Sequence, residues 1–304
     1  MLIGIVGKPN VGKSTFFKAA TLAEVEIANR PFTTIKPNEG VGFVRVPCAE
    51  KFFNVKCNAR QGFCIDGQRF VPVRMIDVAG LVPGAHLGKG LGNKFLSDLV
   101  QADVLIHIVD AAGCTDAEGK IIEAGCYDPV SDVRFVEDEL DKWFASMLKE
   151  NWSKFVRQSL QKSADKALAE QFYGFKITLN MVTQSLRESG LYSKKLNDWV
   201  DADVLAFASH VRQMSKPLVI AANKIDLPTA KANIERLKKE FPNHLIVPCS
   251  AESELALREA AKTDLIKYIP GDSTFEILKP EKLSAQQKKA LEFVNEKILK
   301  VWGS

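Results

Sequence analysis

The chain has 304 residues, 46% of them apolar and 26% charged, with 41 basic and 37 acidic side chains giving a formal net charge of +4. This composition fits a soluble chain of about two domains. No apolar run approaches the ~18 residues of a membrane span, and the charge is too small by itself to imply nucleic acid. Six cysteines without a C-x-x-C pair signal neither a zinc site nor a disulfide framework. Cys48, Cys57 and Cys64 share one short region, where free or buried thiols are the expectation over a three-ligand metal site.

The first predicted strand, Leu2-Ile3-Gly4-Ile5-Val6, is short and apolar, and Thr15 to Ala23 is helix-compatible. Between them lies Gly7-Lys8-Pro9-Asn10-Val11-Gly12-Lys13-Ser14, a phosphate-binding loop by its spacing and its strand-to-helix setting. Gly7, Pro9, Asn10, Val11, Gly12, Lys13, Ser14 and Thr15 are expected to line a polyphosphate, all but Pro9 with a backbone N–H to offer. Lys13 supplies a cation and the Ser14 hydroxyl a ligand for Mg²⁺. A secretory signal has no room before this strand, so the cytoplasm is the expected location and no membrane partner is expected.

Arg30-Pro31-Phe32-Thr33-Thr34-Ile35-Lys36-Pro37 carries a proline at each end, which favours an extended, mobile segment. A switch loop needs that property and a hydroxyl that reaches Mg²⁺ only when a γ-phosphate is present. Thr34 is the first candidate and Thr33 the second. Val71 to Ile76 alternates into a strand ending in Asp77-Val78-Ala79-Gly80. Asp77 is expected to hold Mg²⁺ through a water, and the Gly80 N–H to approach the γ-phosphate. His86, in the glycine-rich stretch that follows, is a candidate water-orienting group; His107, inside the strand Val104 to Val109, reads as a satisfied interior or strand-face histidine.

About a hundred residues separate that strand from the next, Pro217 to Ala222, so an insertion is expected between them. Ser131 to Val200 lacks proline and repeats apolar residues at helical spacing, which predicts two to four packed helices, with Asp132 suited to a helix start. Within 151–200, eight basic residues (Lys154, Arg157, Lys162, Lys166, Lys176, Arg187, Lys194, Lys195) face four acidic ones, with Trp152, Phe155, Phe172 and Tyr173 interleaved. A basic aromatic arm for RNA and a solvated helix face over core aromatics both explain this pattern.

Asn223-Lys224-Ile225-Asp226 follows the strand at 217–222 and is a guanine signature. The Asp226 carboxylate accepts from guanine N1–H and N2–H₂, which adenine cannot supply. The Lys224 stem covers a ring face, and Asn223 ties its loop to the phosphate loop. After a strand at Leu245 to Val247, a backbone N–H of Cys249-Ser250-Ala251 is expected to meet guanine O6, so Ser250 and Ala251 join the site. Leu283 to Val301 is a final helix candidate.

The order of these motifs resembles a translation-factor-type GTPase. The PFTT segment, together with the run from Asp77 to Leu96, is similar to the Obg family, particularly its YchF-related branch and nearby archaeal proteins. The resemblance covers residues 1 to about 120 and 217 to about 270. It implies an α/β P-loop NTPase fold, a mostly parallel sheet flanked by helices, with an inserted α-helical domain. The expected units are a G domain at 1–129 and 203–275, the insertion at 130–202, and a C-terminal helical segment at 276–304. The small β-rich TGS domain of relatives is expected to be absent. The resemblance further implies binding of GTP and GDP, hydrolysis that uses Mg²⁺, and a switch role in ribosome assembly or translation with a ribosomal particle or RNA as partner. The alternatives are an ATPase of the YchF type and a nucleotide-locked binding module with little turnover. Two positions bear on mechanism. Leu81 stands where many GTPases carry a water-orienting Gln, and the family similarly has a hydrophobic residue there, so slow intrinsic hydrolysis is expected. Asn10 accompanies a bound K⁺ in related GTPases, although a loop-capping role accounts for it equally.

Overall fold

The computed structural model describes residues 1–22, 38–78, 80, 84, 99 and 101–303. β1 (Leu2–Val6) alternates between two apolar environments. Ile3 and Ile5 join Val11, Phe17, Met75 and Ile108 on one side of the sheet, whereas Leu2 and Val6 meet the helical layer on the other. Burial on both faces is what a central parallel strand requires. β2 (Asn38–Pro47) runs antiparallel to β4 (Gln68–Asp77), and β3 (Phe63–Ile65) pairs with the start of β4. β4, β1, β5 (Val104–Asp110), β6 (Leu218–Asn223) and β7 (Leu245–Pro248) are parallel neighbours in that order. The sheet order is thus β2-β4-β1-β5-β6-β7. The parallel strands recur where the alternation predicts them, with ends moved by a few residues. β2 is an addition: Gly40, Gly42 and Pro47 dilute its β signal, and its long pairing with β4 supplies what local propensity lacks.

α1 (Lys13–Thr21) follows β1 and packs against α9 (Ala251–Lys262), with a two-stranded β8–β9 sheet (Ile266–Lys267, Glu276–Ile277) beyond. α2 (Glu50–Phe53) is a single turn between β2 and β3. Between β5 and β6 lie α3 (Pro129–Glu150), α4 (Trp152–Ser159), α5 (Ala164–Gln171), α6 (Leu179–Glu188) and α7 (Asp201–Ser215). α8 (Ala230–Glu240) connects β6 to β7.

Asp132 does not open α3. The helix begins three residues earlier, where Asp128 accepts the Val130 N–H at 3.0 Å and Pro129 occupies the first turn. The final predicted helix divides into α10 (Ala285–Phe293), wider-wound turns at Val294–Leu299 and a short end at Lys300–Trp302. Its Leu291, Val294, Ile298 and Leu299 are buried with Ile225, Leu257 and Tyr268.

One apolar cluster joins Val6, Ile76 and Leu105 of the sheet to Phe144, Phe155, Phe172 and Phe207 of the helices. Phe155 and Phe172 are thus interior, and Trp152 lies against Trp199 with ring centres 5.4 Å apart. Turning either phenylalanine out to stack on a base costs about the 1.5–3 kcal/mol that its burial supplies. Base stacking returns about the same, 1–3 kcal/mol, so stacking offers no net gain over the burial these two rings already have. Thr33, Thr34, Leu81 and His86 lie outside the described residues.

Candidate functional site

Parallel register brings the carboxyl ends of the central strands to one edge of the sheet. Ile5 stands opposite Asp77, Val6 opposite His107, and Asp110 opposite Asn223. Ligands of open α/β sheets bind at such an edge, where connections leave in opposite directions. The phosphate loop leaves β1 here and turns into α1 through Gly12, whose φ of 96° an L side chain rarely adopts. A Cβ at Gly12 also runs into Asn223 Nδ2.

Lys13 is buried, and its Nζ donates to the Lys8 carbonyl at 2.7 Å. Burial lowers its pKa to about 8 against the pull of Asp77. Beside it, Ser14 Oγ donates to Asp77 Oδ2 at 2.9 Å. Asp77 is fully buried, and among the described residues nothing donates to its Oδ1. Desolvation raises the Asp77 pKa more than Lys13 and Ser14 lower it. A hydroxyl and a buried, half-satisfied carboxylate of this kind fit a divalent hard cation. Gly80 lies against the phosphate loop, since a Cβ there would come within 3.0 Å of Pro9 Cγ.

Asn223 bridges three segments. Its Nδ2 donates to the Val11 carbonyl at 2.9 Å, while its Oδ1 accepts the Ala251 N–H at 2.9 Å. That N–H is therefore committed inside the protein, as is the Cys249 N–H, which donates to Ala222 at 2.9 Å. An approach of the Ala251 N–H to guanine O6 would share or release the Asn223 contact. Asp226 Oδ1 accepts the Ser250 hydroxyl at 2.8 Å. Ser250 also caps α9. Lys224, at a φ of 68°, donates to the Asn10 carbonyl and to Asp110 Oδ2, each at 3.1 Å.

Lys8 and Asp110 were not singled out by the sequence reading, and the partner of Asn10 was not foreseen. Lys8 is 1% exposed and ion-paired to Asp132 at 2.8 Å, donates to the Thr115 carbonyl at 2.9 Å and lies 3.8 Å from the Tyr127 ring centre. Burial pushes Lys8 down and Asp132 up to about 6. Asp110 accepts from Thr115 Oγ1 at 2.7 Å and from the backbone N–H of Ala112 and Cys114. Asn10 Nδ2 donates to the Gly119 carbonyl at 2.9 Å. Together these contacts fasten the phosphate loop to the segment after β5. Asp110 had a readable signal, an acid at the end of an apolar strand, whereas the Lys8–Asp132 pairing spans more than a hundred residues. His107 is interior as read, but not satisfied: it is fully buried with neither ring nitrogen hydrogen-bonded among the described residues.

Known proteins share this arrangement of sequence. A family model described as a 50S ribosome-binding GTPase matches residues 2–133, and one described as the G4 motif-containing domain of YGR210-like Obg-like GTPases matches residues 221–304. The chain is 48% identical to the GTP-binding protein MJ1332 of Methanocaldococcus jannaschii over 304 residues, all of this chain and 76% of that protein. It is 30% identical to human Obg-like ATPase 1 over 284 residues, 90% of this chain and 67% of the relative. Among solved structures, a GTP-binding protein from Pyrococcus horikoshii superposes with a TM-score of 0.74 at 36% identity, covering 99% of this chain and 77% of that one. The chain therefore belongs to the Obg-like family of P-loop GTP-binding proteins.

Proposed function

We propose that the chain hydrolyses GTP to GDP and phosphate in a Mg²⁺-dependent reaction and uses the nucleotide as a switch. The observation that carries this reading is the Ser14–Asp77 contact, with a buried carboxylate oxygen left over beside Lys13. Ser14 and Asp77 would hold Mg²⁺, with Thr34 joining from the PFTT segment. When bound, the ion would neutralise charge on the β- and γ-phosphates. Lys13 leaves the Lys8 carbonyl for the phosphates, and the triphosphate's charge favours its protonated form. The Gly80 N–H meets the γ-phosphate, and His86 orients water, since Leu81 can neither donate nor accept a hydrogen bond. Asp226 takes guanine N1–H and N2–H₂ while Ser250 fixes the carboxylate, and the Ser250 N–H takes O6. Asn10 has its amide nitrogen on Gly119, which leaves its oxygen for a K⁺ ion.

Phosphate release under single turnover tests this, with GTP and ATP compared in K⁺ and in Na⁺ and with EDTA added. GTP cleavage abolished by EDTA is the expected result. Tight GTP binding with no release in Mg²⁺ and K⁺ would instead establish a nucleotide-locked binding module. Preference for ATP would overturn the role of Asp226; the name Obg-like ATPase 1 carried by the human relative makes that comparison necessary. Equal rates in K⁺ and Na⁺ would eliminate the monovalent ion.

For a partner we propose RNA on a ribosomal particle, in ribosome assembly or translation in the cytoplasm. Lys162, Lys176 and Lys194 are held in ion pairs with Glu170, Asp103 and Asp203. Lys154, Arg157, Lys166, Arg187 and Lys195 are exposed and form no ion pair among the described residues. These five supply the charge that phosphates would meet. Cosedimentation with ribosomal subunits in a non-hydrolysable GTP analogue should weaken steeply with salt, and salt-independent binding would remove the RNA reading.

A further inference from the structure

β2 and β4 carry the sheet away from the nucleotide edge as an antiparallel ribbon, and the segment 48–67 that closes it has little apolar material to fold upon. Phe52 and Phe53 are 85% and 66% exposed, and α2 is one turn long. Yet in this segment the sulfurs of Cys48, Cys57 and Cys64 and a carboxylate oxygen of Glu50 all lie within 4.8 Å of one another. We propose that Cys48, Glu50, Cys57 and Cys64 form a structural zinc site that staples this loop to the end of the ribbon.

The donor set is specific. Thiolates at the usual Zn–S distance of about 2.3 Å stand about 3.8 Å apart on a tetrahedron, so closure asks for movements on the order of 1 Å. Three soft sulfurs select zinc over magnesium or calcium. Four protein donors fill the tetrahedron and leave no open position, which marks a structural rather than a catalytic centre. All three thiols are free, so no disulfide competes for them.

The surroundings already hold the donors in place. Glu50 Oε2 accepts the Cys57 N–H at 2.9 Å, a second contact that orients the carboxylate while Oε1 faces Cys64 Sγ at 3.4 Å. The Cys48 N–H donates to Gly67 at 2.9 Å, fixing the first ligand to the turn that enters β4. Three thiolates, a carboxylate and Zn²⁺ sum to −2. Lys51, Lys56 and Arg60 lie in the same stretch and Arg69 just beyond it, against Asp66 as its other acid. Read alone, the sequence favours free thiols; the fold adds Glu50 and gathers the four donors to one point. From Gln68 to Asp77 the strand rises about 30 Å, so the cluster stands well apart from the nucleotide edge.

The untagged full chain, purified in reductant without chelator, should contain about one zinc per molecule by mass spectrometry. Zinc should shield three of the six thiols from a thiol reagent, leaving Cys114, Cys126 and Cys249 outside the site. Replacing zinc with Co²⁺ should give tetrahedral visible bands and a thiolate charge-transfer band in the near ultraviolet. Cys57→Ser and Glu50→Ala should lose metal and become protease-sensitive within 48–67, with GTP affinity unchanged. If those variants fail to fold, the wild-type cobalt spectrum decides. No zinc after reconstitution and no thiolate-to-cobalt band would overturn the proposal. So would a disulfide among the three cysteines in air-purified protein that takes up no metal after reduction.

Discussion

Replacing Asp132 with Ala strands Lys8, and the cost can be worked from their surroundings. Lys8 Nζ lies 2.8 Å from Asp132 Oδ2, and both side chains are almost fully buried. Removing one partner of a buried pair typically costs about 3–5 kcal/mol, because the other charge is left without compensation. Here the Thr115 carbonyl and the Tyr127 ring remain with Lys8. A desolvated cation–π contact retains about 2 kcal/mol, so the lower end, about 3 kcal/mol, is expected. Removing both charges, Lys8→Met with Asp132→Leu, should bring stability back to within about 1 kcal/mol of wild type or above it. Urea unfolding of the nucleotide-free chain at pH 7.5, followed by far-ultraviolet circular dichroism, measures each corner of the cycle from midpoints at a common slope. A loss below about 1 kcal/mol for Asp132→Ala, or a double variant as unstable as the two singles summed, would refute the reasoning. The pH dependence supplies a second check. The folded pKa of Asp132, about 6, lies above its unfolded value near 3.9. The native state therefore holds the extra proton, and this group's contribution falls as pH rises from about 4 to about 6, then stays level. Asp132→Asn should flatten that window.

His107 gives the opposite sign: burial first, then the charges of Lys13 and Lys8, lower it to about 3. Below about 6.5 the unfolded chain binds a proton that the native chain refuses, so stability should fall by up to about 1.4 kcal/mol per pH unit. His107→Leu should remove that slope between pH 6.5 and 5 in urea midpoints, and equal slopes in both proteins would contradict it. Gly12→Ala places a β-carbon at a φ of 96° and against Asn223, so GTP affinity should fall more than about 10-fold while the thermal midpoint shifts by only a few degrees; unchanged titration of a fluorescent GTP analogue would count against it. Asp226→Asn replaces two acceptor oxygens by one acceptor and one donor, a pattern that matches xanthine N1–H and O2. Competition binding should show preference moving from GTP to xanthosine triphosphate, and retained GTP preference would remove Asp226 from base recognition.

The nucleotide edge was legible because its chemistry is local. Gly7 to Ser14 sits in one strand-to-helix turn, and Asp77 and Asn223 each stand at the end of an apolar strand that alternation already marks. What joins these pieces was not legible, because it depends on pairings between distant segments. Asp132 read as a helix-starting acid by the usual preference of carboxylates for first turns. In the fold Asp128 caps the helix four residues earlier, and Asp132, in the first turn, is turned inward to Lys8. Phe155 and Phe172 fitted either an RNA arm or a core until the helices showed which face they share with the sheet. Both cases have one cause: a residue's type states what it can do, while its partner decides what it does. Lys8, Asn10, Lys224 and Asp110 carry the same point to the site itself. Lys8 ties the phosphate loop to α3, Asn10 ties it to Gly119, and Lys224 ties it to Asp110 at the end of β5. These contacts place the phosphate loop directly against the segment after β5 and the first turn of α3.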